Sequence, residues 1–306
     1  MHDEIYVIGH MNPDTDAICS AIAYAEFKRK INGDRYTPAR IGGINPETAY
    51  VLDRFGFEEP MLLKDGSGKR LILVDHNEES QSIEGYSDAE IVEVIDHHKI
   101  NFKCSSPIFF HSEPLGSTAT IIADEFLSHD VPIDKGIAGI LLAAILSDTV
   151  VFKSATTTPV DRDMAEKLAE IAGIRDINEF GIEVKKAKSS LTGISTEDII
   201  YSDFKDFNFR DNKVGIGQIE VVDFEEFRKR RDGFLKELNR INKEGGYDLL
   251  LFMITNIMEE GSEILVVGET DKVEEAFGKP VRNNSIYLKG VLSRKKQIVP
   301  PLENVF

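Results

Sequence analysis

Three short apolar runs in the first hundred residues end in titratable turns: EIYVIGH (4–10), RLILVDH (70–76) and EIVEVIDHH (90–98). They are too short for helices and are bounded by polar residues, which predicts buried strands. PIFFH (107–111) adds a further candidate. Helical patterns lie between and after them. Residues 14–31 place Ile18, Ala21, Ile22, Ala25 and Phe27 on a helical period, with Asp14 as N-cap after Pro13. Residues 45–56 stop at Gly56, and 117–129, 134–148 and 158–173 read as three more helices. Strand–helix alternation predicts an α/β fold: an N-terminal, mainly parallel sheet with helices on both faces. Right-handed crossovers then bring the C-terminal ends of the parallel strands to one edge, where ligands bind in such sheets.

The second half changes character. KKAKSSLTGIS (185–195) mixes basic, small and polar residues and reads as the linking segment. Strands are expected at 214–222, 248–255 and 263–268, a long polar helix at 223–244 and a shorter one at 270–277. This is a smaller C-terminal α/β domain. The expected division is 1–187, a linker at 188–195, and 196–306, with a cleft between domains as a natural place for a site.

Four polar clusters fall at the ends of apolar segments: GHMNPDTDA (9–17), DHN (75–77), DHH (96–98) and SDT (147–149). Each has a plain structural explanation. Asp14 can be an N-cap, Asp75 loop chemistry, and His97 with His98 a surface turn. Asp148 ends a helix, where an acid opposes the dipole and calls for a positive charge nearby. Taken together these explanations fail. So many acids converging on one sheet edge repel one another unless a cation is present, and mixed carboxylate and imidazole donors suit hard or borderline divalent ions.

In this order and spacing the clusters resemble the motifs of the DHH phosphoesterase superfamily. GHMNPDTDA, DHNEESQS, DHH, LGSTAT and SDT, with GVLSRKKQIVPPL (290–302) near the C-terminus, resemble the family II, manganese-dependent inorganic pyrophosphatases. The resemblance spans essentially the whole chain, with no insert between DHH and SDT. It implies a DHH metal-binding domain followed by a DHHA2-like substrate-binding domain. It further implies hydrolysis of pyrophosphate to two orthophosphates by a hydroxide shared between two metal ions; the two-domain layout adds the expectation that the domains close over the substrate. One ion takes His10, Asp14 and Asp75; the other takes Asp16, Asp75, His97 and Asp148, so that Asp75 bridges. His98 matches the catalytic histidine, and Lys205, Arg294 and Lys295 match the phosphate-binding cations. Mn²⁺ is the implied resident ion, two per site, with Co²⁺ a substitute and Mg²⁺ arriving with the substrate. A homodimer is implied as well. Ser117 and Thr118 at a helix start are candidates for binding phosphate through backbone N–H groups.

Charge limits the partners. The chain of 306 residues carries 53 acids against 36 Lys and Arg, a formal net charge of -17. Such a surface repels nucleic acid and anionic membranes. Yet residues 278–300 contain Lys279, Arg282, Lys289, Arg294, Lys295 and Lys296 and no acid. Following a strand-like segment and ending before Pro-Pro, this stretch is expected to present an Arg–Lys fork suited to phosphate. Two cysteines, Cys19 and Cys104, provide no disulfide framework and fit a reducing cytoplasm. The acidic N-terminus lacks the apolar core of a signal peptide, and the apolar run 136–146 is too short to span a membrane. An exopolyphosphatase of the same superfamily is the nearest alternative, and a non-catalytic metal- or phosphate-binding regulator is a more distant one.

Overall fold

The computed structural model describes residues 4–33, 35–188 and 194–306. Backbone contacts divide the chain into two units, Met1–Lys188 and Ser189–Phe306.

Unit 1 is built on a sheet of β1 (Ile5–Ile8), β2 (Tyr36–Arg40), β3 (Met61–Leu62), β4 (Arg70–Val74), β5 (Glu90–Asp96) and β6 (Phe109–Ser112). The strand order is β3-β2-β1-β4-β5-β6, and every pairing is parallel. The mainly parallel sheet is therefore as the sequence predicts. Two of its strands were not legible. YTPAR in β2 contains a proline, and the two-residue β3 is too short to leave a pattern. The order reverses between β1 and β4, so the chain leaves these neighbours in opposite directions and opens a crevice at their C-terminal ends.

The helices are α1 (Thr15–Asn32), α2 (Pro46–Phe55), α3 (Thr118–Ser128), α4 (Lys135–Asp148), α5 (Pro159–Ala172) and α6 (Ile177–Lys188). They pack as one connected layer on the sheet, with α4 at its centre touching α1, α2, α3, α5 and α6. This is why α4 is apolar all round: Ile137 to Ser147 are buried without a break. On the opposite face, Ile8, Leu71, Leu73 and Val94 pack against Leu63, Ile83, Tyr86 and Phe102, and the connection from β4 to β5 carries two 3₁₀ turns, Glu79–Gln81 and Tyr86–Asp88. At the end of β1, Gly9 permits close approach to α1, since a Cβ there would lie 2.6 Å from that of Ala17. Residues 185–188, read from sequence as the start of a linker, are the last turn of α6. Val184 and Lys185 are buried, and that apolar and ion-paired anchoring keeps the segment helical. Of the rest of the expected linker, residues 189–193 lie outside the described residues, and Ser195 is the N-cap of the next helix.

Unit 2 comprises α7 (Thr196–Tyr201), β7 (Phe204–Phe209), β8 (Asn212–Val221), α8 (Glu225–Gly245), β9 (Leu249–Asn256), β10 (Gly261–Gly268), α9 (Thr270–Phe277), β11 (Ser285–Lys289) and α10 (Val299–Val305). Its sheet order is β11-β10-β9-β8-β7, with β8 and β9 parallel and the other pairs antiparallel. Strand β9 is buried over its whole length between two apolar clusters, one of which includes α8. Among the described residues no helix is long and apolar enough to cross a membrane.

Candidate metal centre

The crevice edge gathers the polar ends of unit 1. His10 follows β1, Asp75 follows β4, His97 and His98 follow β5, Asp14 and Asp16 open α1, and Asp148 closes α4. Donor atoms within 4.8 Å of one another form three groups: His10, Asp14 and Asp75; Asp16, Asp75, His97 and Asp148; and Asp75, His97 and His98. Asp75 belongs to all three. Its backbone is left-handed, at φ 62°, a conformation few residues other than glycine adopt and one tolerated by Asp and Asn. The carboxylate is 1% exposed, and one oxygen accepts from Thr118 Oγ1 at 2.9 Å.

The surroundings fix each donor. His97 Nδ1 lies 2.9 Å from the Leu115 carbonyl, which makes Nδ1 the protonated nitrogen and presents the Nε2 lone pair to the carboxylates. Nε2 is 3.5 Å from Asp75 and 3.6 Å from Asp148, and it is buried without a hydrogen-bond partner. His10 Nε2 is 3.5 Å from the other Asp75 oxygen and 3.7 Å from Asp14. Asp14 is also the N-cap the sequence predicts, accepting from Ala17 N. Asp16 accepts from Thr118 N at 2.7 Å, Ala119 N at 3.0 Å and Ser20 Oγ at 3.0 Å. The N-terminus of α3, considered from sequence as a phosphate site, thus already holds an anion, the protein's own Asp16.

Burial raises the carboxyl pKa of Asp16, and raises those of Asp75 and Asp148 well above the ordinary range, with neighbouring carboxylates adding to the effect. Lys185 works against that rise at Asp148. A cluster of buried acids, an orphaned imidazole lone pair aimed into it and a shared central carboxylate match the donor set of a pair of divalent cations.

His76, between Asp75 and Asn77, is not among the grouped donors. Its ring is spanned by the Val74 carbonyl and Ser82 Oγ, and burial lowers its pKa to about 4, keeping it neutral. His98 is half exposed. Its Nδ1 lies 2.9 Å from Asp96, and that hydrogen bond raises the imidazole pKa. Asn77 donates to the other Asp96 oxygen at 2.5 Å and receives Asn101 N. Sequence reasoning missed this Asn77–Asp96 support. It also missed Asp161, which accepts from Gly116 N, Thr120 Oγ1 and Thr158 and so ties the LGSTAT loop to α5. The capping box from Thr158 to Asp161 was visible as a T-x-x-D spacing; its reach to residue 116 was not.

Residues 4–145 match the model of the DHH family, N-terminal domain, and residues 182–305 match that of the DHHA2 domain. A manganese-dependent inorganic pyrophosphatase of Methanocaldococcus jannaschii is 50% identical over 309 residues, covering 98% of this chain and 99% of the relative. The chain belongs to the manganese-dependent inorganic pyrophosphatase family. Another member, from Bacillus subtilis, is 44% identical over 304 residues, with 98% of each chain covered. A crystal structure of a Methanococcus jannaschii protein assigned to family II inorganic pyrophosphatases aligns with a TM-score of 0.63 at 48% identity, covering 99% of both chains.

The remaining candidates from this pyrophosphatase signature lie in unit 2. Lys205 is exposed on β7, opposite Ile216 of β8. Arg294 opens a π-helical turn, Arg294–Ile298, and is buried rather than projecting beside Lys295 as a fork. Its guanidinium donates to the Asp203 carbonyl at 2.6 Å, the Ile216 carbonyl at 3.1 Å and the Asp203 carboxylate at 2.7 Å. Lys295 is exposed. Sequence could not separate the two, because the choice follows from the Asp203 partner, 91 residues away. Gln297 closes the turn, accepting from Leu292 N and Ser293 N and donating to the Gly290 carbonyl.

Proposed function

We propose that this chain hydrolyses inorganic pyrophosphate to two orthophosphates. The observation that carries the reading is the pair of donor sets sharing Asp75, with His97 Nε2 buried and unpartnered among them. In this reading His10, Asp14 and Asp75 hold one Mn²⁺, and Asp16, Asp75, His97 and Asp148 hold the other; Co²⁺ is a competent substitute and Mg²⁺ accompanies the substrate. Divalent ions there supply Lewis-acid chemistry, neutralising phosphoryl charge and acidifying water.

The side chains do the rest. Asp96 pins His98 through Nδ1 and leaves Nε2 turned away from that contact, so a protonated His98 can donate to a phosphoryl oxygen or leaving phosphate. Lys205 and Lys295 balance the charge of the phosphoryl group that departs. Arg294, whose own charge is paired with Asp203, supports them by shaping the turn from which Lys295 projects. Closure of the two units over the substrate completes the site and excludes bulk water. A homodimer in the cytoplasm is the matching cellular form.

The direct test is phosphate release from pyrophosphate and from tripolyphosphate, with Mn²⁺ and with EDTA. Rapid release from pyrophosphate, slow release from the longer chain and loss of both in EDTA are expected. Preference for the longer chain would instead favour an exopolyphosphatase.

A second measurement separates the cations of unit 2. Lys295→Ala is expected to raise KM about tenfold, the equivalent of ~1.4 kcal/mol of substrate binding, without unfolding the domain, because Lys295 is exposed. An unchanged KM would remove Lys295 from the substrate site.

A further inference from the structure

The helical layer of unit 1 buries a second polar cluster that the hydrolytic reading does not use. Glu47, in the first turn of α2, is 2% exposed. Its Oε1 accepts from Thr15 Oγ1 at 2.8 Å and from the Ser147 hydroxyl. Its Oε2 accepts from Lys185 Nζ at 3.2 Å, and the same ammonium donates to Ser147 Oγ at 3.1 Å. Thr15 also lies 3.1 Å from Thr48 Oγ1. Four helices meet here: α1, α2, α4 and α6.

A buried ion pair of this kind is often no more stabilising than apolar packing of equal volume, so its presence asks for another explanation. The sequence neighbours supply one. Thr15 stands between Asp14 and Asp16, and Ser147 precedes Asp148. A single carboxylate oxygen therefore takes a hydroxyl from the start of α1 and another from the end of α4. Glu47 thereby links the two helix ends that carry Asp16 and Asp148. Lys185 locks Glu47 from its other side and is also a positive charge near the C-terminus of α4, where the helix dipole disfavours Asp148.

We propose that the Glu47–Lys185 pair positions the metal centre, holding Asp16 and Asp148 at the spacing that gives Mn²⁺ its affinity and tying that spacing to the packing of α6. The proposal rests on the reading of the centre as a Mn²⁺ site. Glu47 and Lys185 act through Thr15 and Ser147, and these act through the carboxylates next to them in sequence. A purely structural pair would instead anchor α6 and leave metal binding alone.

Calorimetric titration of the stripped protein with Mn²⁺, alongside its thermal unfolding, distinguishes the two. Ser147→Ala removes one hydroxyl and adds no volume. Its Mn²⁺ dissociation constant is expected to rise about tenfold or more, as for other groups that orient metal ligands, while the metal-free melting temperature changes little. Glu47→Gln should weaken Mn²⁺ similarly, and Lys185→Arg, which keeps the charge, should restore most of the affinity lost in Lys185→Met. Should Glu47→Gln fail to fold, Ser147→Ala and the Lys185 pair decide alone. Mn²⁺ binding within about twofold of the parent in Ser147→Ala, whatever the melting temperature, would overturn the proposal. Asp148→Ala is the control. If it binds Mn²⁺ normally the reading of the centre fails, whereas if it loses Mn²⁺ and Ser147→Ala does not, only the positioning role fails.

Discussion

Replacing Asp75 by alanine should lower pyrophosphate hydrolysis to less than about a thousandth of the parent rate, a loss of ~4 kcal/mol in transition-state stabilisation. The reason is geometric. Asp75 contributes to every donor group at the crevice, one oxygen facing His10 and the other facing His97. No other residue of the cluster belongs to all three groups, so no other single substitution disturbs both candidate cation positions. Metal analysis of the purified variant should show Mn²⁺ lost as well. Asp75→Asn serves as the control, because Asn tolerates the left-handed backbone and keeps an oxygen for Thr118 while losing the charge. It should be nearly as inactive as Asp75→Ala. An active Asp75→Asn would mean that backbone shape, not carboxylate charge, is what the position supplies. His98→Gln makes the opposite case: Mn²⁺ retained, with the rate down roughly 10²- to 10⁴-fold as for loss of a positioned acid.

The second large effect is on stability. Removing divalent ions leaves Asp16, Asp75 and Asp148 facing one another in a buried site, where burial and mutual repulsion oppose ionisation. Refilling the site with Mn²⁺ at about 1,000 times its dissociation constant should add ~4 kcal/mol to the folded state. For a unit of 188 residues that corresponds to a rise in melting temperature of roughly 8–16 °C. Calorimetric scans of the stripped and Mn²⁺-loaded protein read it directly. The gain belongs to the transition of unit 1, and that of unit 2, which holds none of the grouped donors, should barely move. Equal melting temperatures in the two states would contradict a buried cation centre.

What the sequence revealed follows physical range. Strands β1, β4 and β5 and the apolar helix α4 were legible because period and apolarity are local. The same is true of the Asp14 cap. Each titratable turn could be placed at a strand or helix end, and parallel topology then brought the turns together. Strands β2, β3, β7 and β11 were not recognised; they are short, interrupted by proline or partly exposed, and are fixed by partners far along the chain. The same limit applied to side chains. The helix dipole predicts a positive charge near Asp148, but which residue supplies it is not legible, since Lys185 is 37 positions downstream in a stretch whose composition resembles a linker. Arg294 shows the converse: its motif was recognisable, but its burial against Asp203 depends on residues that share no local pattern with it.

After Asp148 and Thr149 the chain passes through Val150, Val151 and Phe152, all with left-handed backbones at φ 50°, 53° and 64°. For ordinary L-residues this conformation is disfavoured by roughly 1–2 kcal/mol each, and two of the three are β-branched. Val151 is buried and Phe152 N is held by Thr149 Oγ1, so surrounding packing imposes the shape. A sequence free to relax would favour glycine or asparagine here, yet either would give up the side chain that packs at Val151 or stacks with Arg162 at Phe152. The turn thus gives up local backbone comfort in favour of apolar packing directly behind the helix end that carries Asp148.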